Sequence, residues 1–112
     1  MNKMDFDKQT QQKIHELQLL EQNLQGLIMQ KQAFQIELSE TENAFNEISN
    51  SNEDVFKLIG NIMIKYDKKK ISDELKKKKD IIALRLKSIN LEENHLNNQL
   101  EELKKDVMSK IK

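Results

Sequence analysis

Eleven residues, Val55-Phe56-Lys57-Leu58-Ile59-Gly60-Asn61-Ile62-Met63-Ile64-Lys65, constrain this chain more than any others. They form the one run that reads as β: Val, Ile and Phe suit a pleated surface, and Gly60-Asn61 is a two-residue turn signal. Gly at the first central position fits a type II′ turn, which needs φ > 0 there. Alternation places Phe56, Leu58 and Met63 on one hairpin face and Val55, Ile59, Ile62 and Ile64 on the other. A lone two-stranded hairpin is marginal in water. Ordering its backbone costs about 1–2 kcal/mol per residue, and a fully buried large apolar side chain returns about 1.5–3 kcal/mol. The hairpin therefore has to bury nearly all of its apolar side chains. A thin hairpin cannot cover both of its own faces, so other copies or other chains must do so.

On either side lies a long segment of helical period. Upstream, from about residue 8 to 49, Leu17, Leu20, Leu24, Leu27, Phe34, Leu38, Phe45 and Ile48 follow a 3-4 spacing, with Lys31 and Thr41 interrupting the same register. Downstream, from about residue 67 to 111, Ile71, Leu75, Ile82, Leu86, Ile89, Leu96, Leu100, Leu103 and Val107 repeat the pattern, with Lys79 and Glu93 in the intervening positions. Ser49-Asn50-Ser51-Asn52 closes the first helix, and Asp67 is a candidate N-cap for the second. Each helix spans roughly 60–65 Å at about 1.5 Å per residue and has no core of its own. The chain has no Pro to break them. The expected fold is mainly α: one domain over residues 1–112, an antiparallel two-helix coiled coil joined by a β-hairpin at about residues 54–66. Pairing about Gly60-Asn61 brings Leu17 near Leu103, Leu24 near Leu96 and Phe34 near Leu86, and sets Lys31 and Glu93 in adjacent layers.

Composition narrows the function. With 37% hydrophobic and 34% charged residues, the chain suits a narrow seam better than a thick core. A formal net charge of zero argues against general binding to nucleic acid or anionic membrane. The dense basic stretch, Lys68–Lys70 and Lys76–Lys79, lacks the aromatics and arginines that would read bases, so it reads as a solvated helix face. His15 and His95 are far apart on polar faces with no Cys beside them, so no metal site is expected. No phosphate loop, nucleophile elbow or zinc motif is present. An enzyme is not expected, nor is a cofactor. No signal peptide or membrane-spanning run is read at the N-terminus or elsewhere, so the expected location is the cytoplasm.

Apolar residues beyond a minimal seam collect near the free helix ends. They are Met4, Phe6, Ile14 and Leu19 at one terminus and Met108 and Ile111 at the other. Apolar groups at a mobile tip, Met among them, suit adaptable binding of apolar partners. The competing reading is that they widen an oligomeric seam.

The Val55–Lys65 motif, followed by Ile71-Ser72-Asp73-Glu74-Leu75-Lys76 and Leu84-Arg85-Leu86, resembles the β class of archaeal-type prefoldin subunits. Gln30-Lys31-Gln32 and the stretch from Leu38 to Ile48 resemble it as well, so the likeness covers nearly the whole chain. The α class carries two hairpins, and this chain has one. Phe56 stands where the family often has Tyr. The resemblance implies a hetero-hexamer of two α-type and four β-type subunits. Val55, Phe56, Leu58, Ile59, Gly60, Ile62, Met63 and Ile64 would build the shared β-barrels. It also implies an ATP-independent chaperone that holds unfolded polypeptides at its coiled-coil tips and passes them to a group II chaperonin. The client contacts would be Phe6, Ile14, Leu17, Leu19, Leu103, Val107, Met108 and Ile111. The alternative function is a structural coiled-coil scaffold without chaperone activity.

Overall fold

The structure, a computed structural model, describes residues 7–111, with side chains through residue 110. Met4 and Phe6 and the side chain of Ile111 lie outside the described residues. The order of elements is α1 (Lys8–Asn50), β1 (Val55–Ile59), β2 (Ile62–Tyr66) and α2 (Lys68–Ile111).

Both helices start on an aspartate. The Asp7 carboxylate accepts the Thr10 amide at 2.7 Å, and the Asp7 carbonyl accepts the Gln11 amide at 3.0 Å. The Thr10 hydroxyl and amide hold the Asp7 carboxyl below its usual value. At α2 the Asp67 carboxylate accepts the Lys69 amide at 3.3 Å, and its carbonyl accepts the Ile71 amide at 3.0 Å. Each aspartate satisfies donors that the first helical turn leaves without partners. The cap at Asp67 matches the sequence expectation; that at Asp7 went unread, although an Asp immediately before a helical pattern is the usual signal.

β1 and β2 pair antiparallel from Val55↔Tyr66 to Ile59↔Ile62, leaving Gly60-Asn61 as the turn. Gly60 has φ +60°, and no non-glycine residue among those described has positive φ. A negative φ at Asn61 excludes a type I′ turn and fits the expected type II′.

The described residues form two compact units: residues 7–31 with 88–111, and residues 32–87. In the first, Leu27, Ile89, Leu100 and Val107 are buried between antiparallel helical segments. Thr10 is buried with them, its backbone already engaged by the Asp7 cap. In the second, Ile82 is the buried apolar residue. Thr41 is buried beside the half-buried Phe34, Leu38, Phe45 and Ile48. The Thr41 hydroxyl donates to the Glu37 carbonyl of its own helix at 2.7 Å, so a polar group occupies the seam without needing a partner across it. Among the described residues no large side chain is completely sealed from solvent. That is the expected outcome for a two-helix seam, which has no second layer to close over it.

Candidate functional site

The hairpin belongs to the unit formed by residues 32–87. Its pairing places Phe56, Leu58, Met63 and Lys65 on one face and Val55, Lys57, Ile59, Ile62, Ile64 and Tyr66 on the other. The apolar division is the one read from alternation. Neither face is covered: Phe56, Leu58, Ile59, Ile62, Met63 and Ile64 are between 45% and 68% exposed. Val55 and Tyr66, at the base of the strands, are half-buried. Six large apolar side chains on ten strand residues thus stand in solvent, and monomeric soluble proteins rarely leave such a patch open.

A polar cluster anchors the hairpin base to α2. The Tyr66 hydroxyl donates to Glu74 Oε1 at 2.8 Å, and Lys57 Nζ approaches Glu74 Oε2 at 3.4 Å. Lys57 also sits over the Tyr66 ring, 4.9 Å from its centre. The Tyr66 hydrogen bond and, less strongly, Lys57 hold the Glu74 carboxyl below its usual value. Lys68 Nζ donates to the Ser51 carbonyl, tying the start of α2 to the loop after α1. Sequence reading missed this cluster. The period-2 pattern does put Lys57 and Tyr66 on one face, but it does not show that Glu74, on α2, reaches them.

In the other unit, Lys31 Nζ lies 2.9 Å from Glu93 Oε1, with side chains only 27% and 21% exposed. Two of the four polar seam positions therefore answer one another, and the register set about Gly60-Asn61 holds here. Lys13 and Asp106 form a second pair at 3.5 Å, more exposed. Leu20 and Leu103 line one shallow groove with Glu16 and Asp106.

The residues named as client contacts divide by burial. Leu19 and Met108 are exposed, and Ile14, Leu17 and Leu103 are half-buried. Val107 is 7% exposed. It sits in the seam, because it continues the spacing of Leu100 and Leu103 on the inner side of α2. Exposed apolar residues that the seam pattern passes over are Met29 and Leu91 in this unit and Ile36, Ile81 and Leu84 in the other.

Among the described residues no group of three or more His, Cys, Asp or Glu is placed to hold a metal ion. No helix among them is long and apolar enough to cross a membrane.

The family model described as "Prefoldin subunit" matches residues 11–112. The prefoldin subunit beta of Thermococcus onnurineus is 34% identical over 106 residues, covering 93% of this chain and 91% of that protein. That of Sulfurisphaera tokodaii is 34% identical over 99 residues, covering 87% of this chain and 79% of its own length. The crystal structure of the prefoldin beta subunit from Thermococcus strain KS-1 superposes with a TM-score of 0.87 at 32% identity, covering 96% of both chains. One hairpin between two heptad-patterned helices, and matches of this extent to β subunits, lead to one conclusion: the chain belongs to the prefoldin subunit family, in its β class.

Proposed function

We propose that this chain is one of four β-type subunits that join two α-type subunits through their hairpins, closing shared β-barrels. The free helix ends of the assembly hold unfolded polypeptides without ATP and pass them to a group II chaperonin, in the cytoplasm. Membership of the family gives the coarser statement: a non-enzymatic chaperone subunit that assembles with other prefoldin subunits.

The observation that carries the proposal is the hairpin, apolar on both faces and exposed on both. Its strand edges and its side chains call for the same kind of partner, another β-ribbon with an apolar face. Once assembly covers the hairpin, it has nothing left to offer a client.

Unfolded chains share little beyond exposed apolar surface, so their site needs apolar groups and weak specificity. Leu19 and Met108 stand in solvent near the ends of the helices, with Ile14, Leu17 and Leu103 partly accessible beside them. Phe6 and Ile111 are proposed to extend this surface. Several subunits engaging one client add avidity, so each contact can remain weak.

The test is light scattering from a denatured protein diluted into buffer with the assembled complex. Removing residues 1–7 together with 107–112 is expected to leave assembly intact and abolish protection. Because that deletion also takes the buried Val107, the variant Leu19→Ser with Met108→Ser, which leaves the seam in place, is measured beside it. It is expected to weaken protection without changing the assembly mass. Full protection by assembled complexes of both variants would refute the assignment of the site. A wild-type complex that assembles and never suppresses aggregation would favour a structural scaffold.

A further inference from the structure

The hairpin is joined to its helices by little backbone. One residue, Asp67, separates β2 from α2, and residues 51–54 separate α1 from β1. A two-stranded ribbon on such short joints can swing as a body, because a few residues at the ends of elements are enough to absorb a hinge rotation. Side-chain contacts to α2 oppose that swing, and they are gathered on one face of the ribbon.

Lys57 on β1 and Tyr66 on β2 share the face of Val55, Ile59, Ile62 and Ile64. Both reach one carboxylate on α2. The Tyr66 hydroxyl donates to Glu74 Oε1 at 2.8 Å, and Lys57 Nζ stands 3.4 Å from Oε2. Lys57 and Lys70 lie over the Tyr66 ring, 4.9 and 5.8 Å from its centre. Each strand and the start of α2 thus supply a member. The ion pair of Lys65 with Asp54, at 3.4 Å, joins the two sides of the ribbon and leaves α2 untouched. An exposed ion pair on its own contributes little. Here the two oxygens of one carboxylate are bound from two strands and one ring serves two lysines, so holding one member in place lowers the cost of holding the next.

Burial follows these contacts. At the base of the hairpin Val55, Lys57 and Tyr66 are half-buried, whereas Phe56 and Lys65, paired at the same level on the opposite face, are exposed. Ile59 and Ile62, beside the turn, are exposed as well. The two faces are therefore inequivalent at the base before any partner arrives: one is drawn towards α2, and the one that carries Phe56, Leu58 and Met63 stands clear.

We propose that Glu74 is a positioning residue for assembly: through Tyr66 and Lys57 it holds the hairpin at one angle to α2, so that the ribbon meets partner hairpins already oriented, with Phe56, Leu58 and Met63 presented. The proposal rests on the reading that the hairpins carry assembly. A segment oriented beforehand has less to order on encounter, which favours association.

The chain contains no cysteine, so spin labels can be placed on Asn61→Cys in the turn and Lys76→Cys on α2, both exposed positions. Labelled chain is diluted into unlabelled chain, so that pulsed electron paramagnetic resonance reads distances within one chain. The expected result is one narrow distribution, broadened by Glu74→Ala and by Tyr66→Phe. Glu74→Gln keeps an acceptor for Tyr66 but loses the attraction to Lys57, and is expected to fall between. In stopped-flow mixing with an α-type subunit, Glu74→Ala is expected to slow association severalfold while the helical content and thermal midpoint of the chain alone stay unchanged. Adding Tyr66→Phe to Glu74→Ala is expected to slow it no further, because both remove the same contact. A distribution as narrow in Glu74→Ala as in the wild type overturns the positioning role, and so does a broadened one with an unchanged association rate. Slower association that comes with loss of helix also overturns it, since Glu74 would then serve the helix itself. Slow assembly of Glu74→Ala to the wild-type mass supports the proposal and leaves the hairpin reading standing. A wild-type chain that never assembles overturns the hairpin reading and the effect on association together.

Discussion

Replacing Ile62 with Lys separates folding of the helices from assembly of the hairpins. Ile62 is 65% exposed in the single chain, opposite Ile59 beside the turn. A fully buried Ile contributes about 1.5–3 kcal/mol, so covering its remaining surface adds roughly 1–2 kcal/mol per subunit. In the single chain, Ile62→Lys gives up only the smaller, already covered share, and the new ammonium stays in water. Helical content and the thermal midpoint of the unassembled chain are therefore expected to change little. In the assembly the ammonium enters an apolar interface without a carboxylate, which costs several kcal/mol. Together the losses reach about 4–6 kcal/mol per interface, or a dissociation constant roughly a thousandfold to ten-thousandfold larger. The assay is sedimentation velocity with an α-type subunit, alongside circular dichroism of the chain alone. Ile62→Val, which keeps the apolar surface, is expected to assemble normally. An intact hexamer formed by Ile62→Lys would refute burial of this face, and loss of helix in the chain alone would refute the separation of hairpin from helices.

A double-mutant cycle tests the seam pair: Lys31→Leu or Glu93→Leu alone strands a charge about three-quarters buried and is expected to lower stability by about 1–3 kcal/mol in thermal melts, while the double change is neutral or stabilising. Additive single effects would show that the 2.9 Å contact carries no energy. Gly60→Ala meets nothing within 4 Å, so its cost is that of placing an L-residue at φ +60°, about 1–2 kcal/mol, read as a weakened assembly midpoint with unchanged helicity. Asp7 has a folded-state pKa below the ordinary 3.8, so its cap stabilises the start of α1 above that pH and is lost as pH falls through the lowered value. Amide exchange at Thr10 and Gln11 is expected to accelerate in that acidic window, and in Asp7→Ala at neutral pH; protection unchanged in Asp7→Ala would show that the cap is idle.

What the sequence determined is what depends on neighbours along the chain. A glycine before Asn61 between β-branched runs defines a two-residue turn, because φ > 0 is cheap only there. Alternation then divides the hairpin faces, and the 3-4 spacing chooses the inner side of each helix. With the turn fixed, antiparallel pairing about it brought Lys31 to Glu93 by counting alone. Composition added the absence of a thick core. Tertiary structure decided everything that depends on which side chains reach across. The spacing already places Val107 with Leu100 and Leu103, but only the packing shows that it is buried there and not free for a client, while the neighbouring Met108 stays in solvent. Glu74 reads as one acid among many, and only the packing of the hairpin base on α2 gives it Tyr66 and Lys57. The opposite charges of residues 32–50 and 68–87 are plain in the sequence, but whether they cancel inside the chain is a matter of distance. One cross-helix pair, Lys78 with Glu37, forms in that unit, while Ile36 with Glu40 and Ile81 with Arg85 face outward because the seam has already claimed the inner positions of both helices.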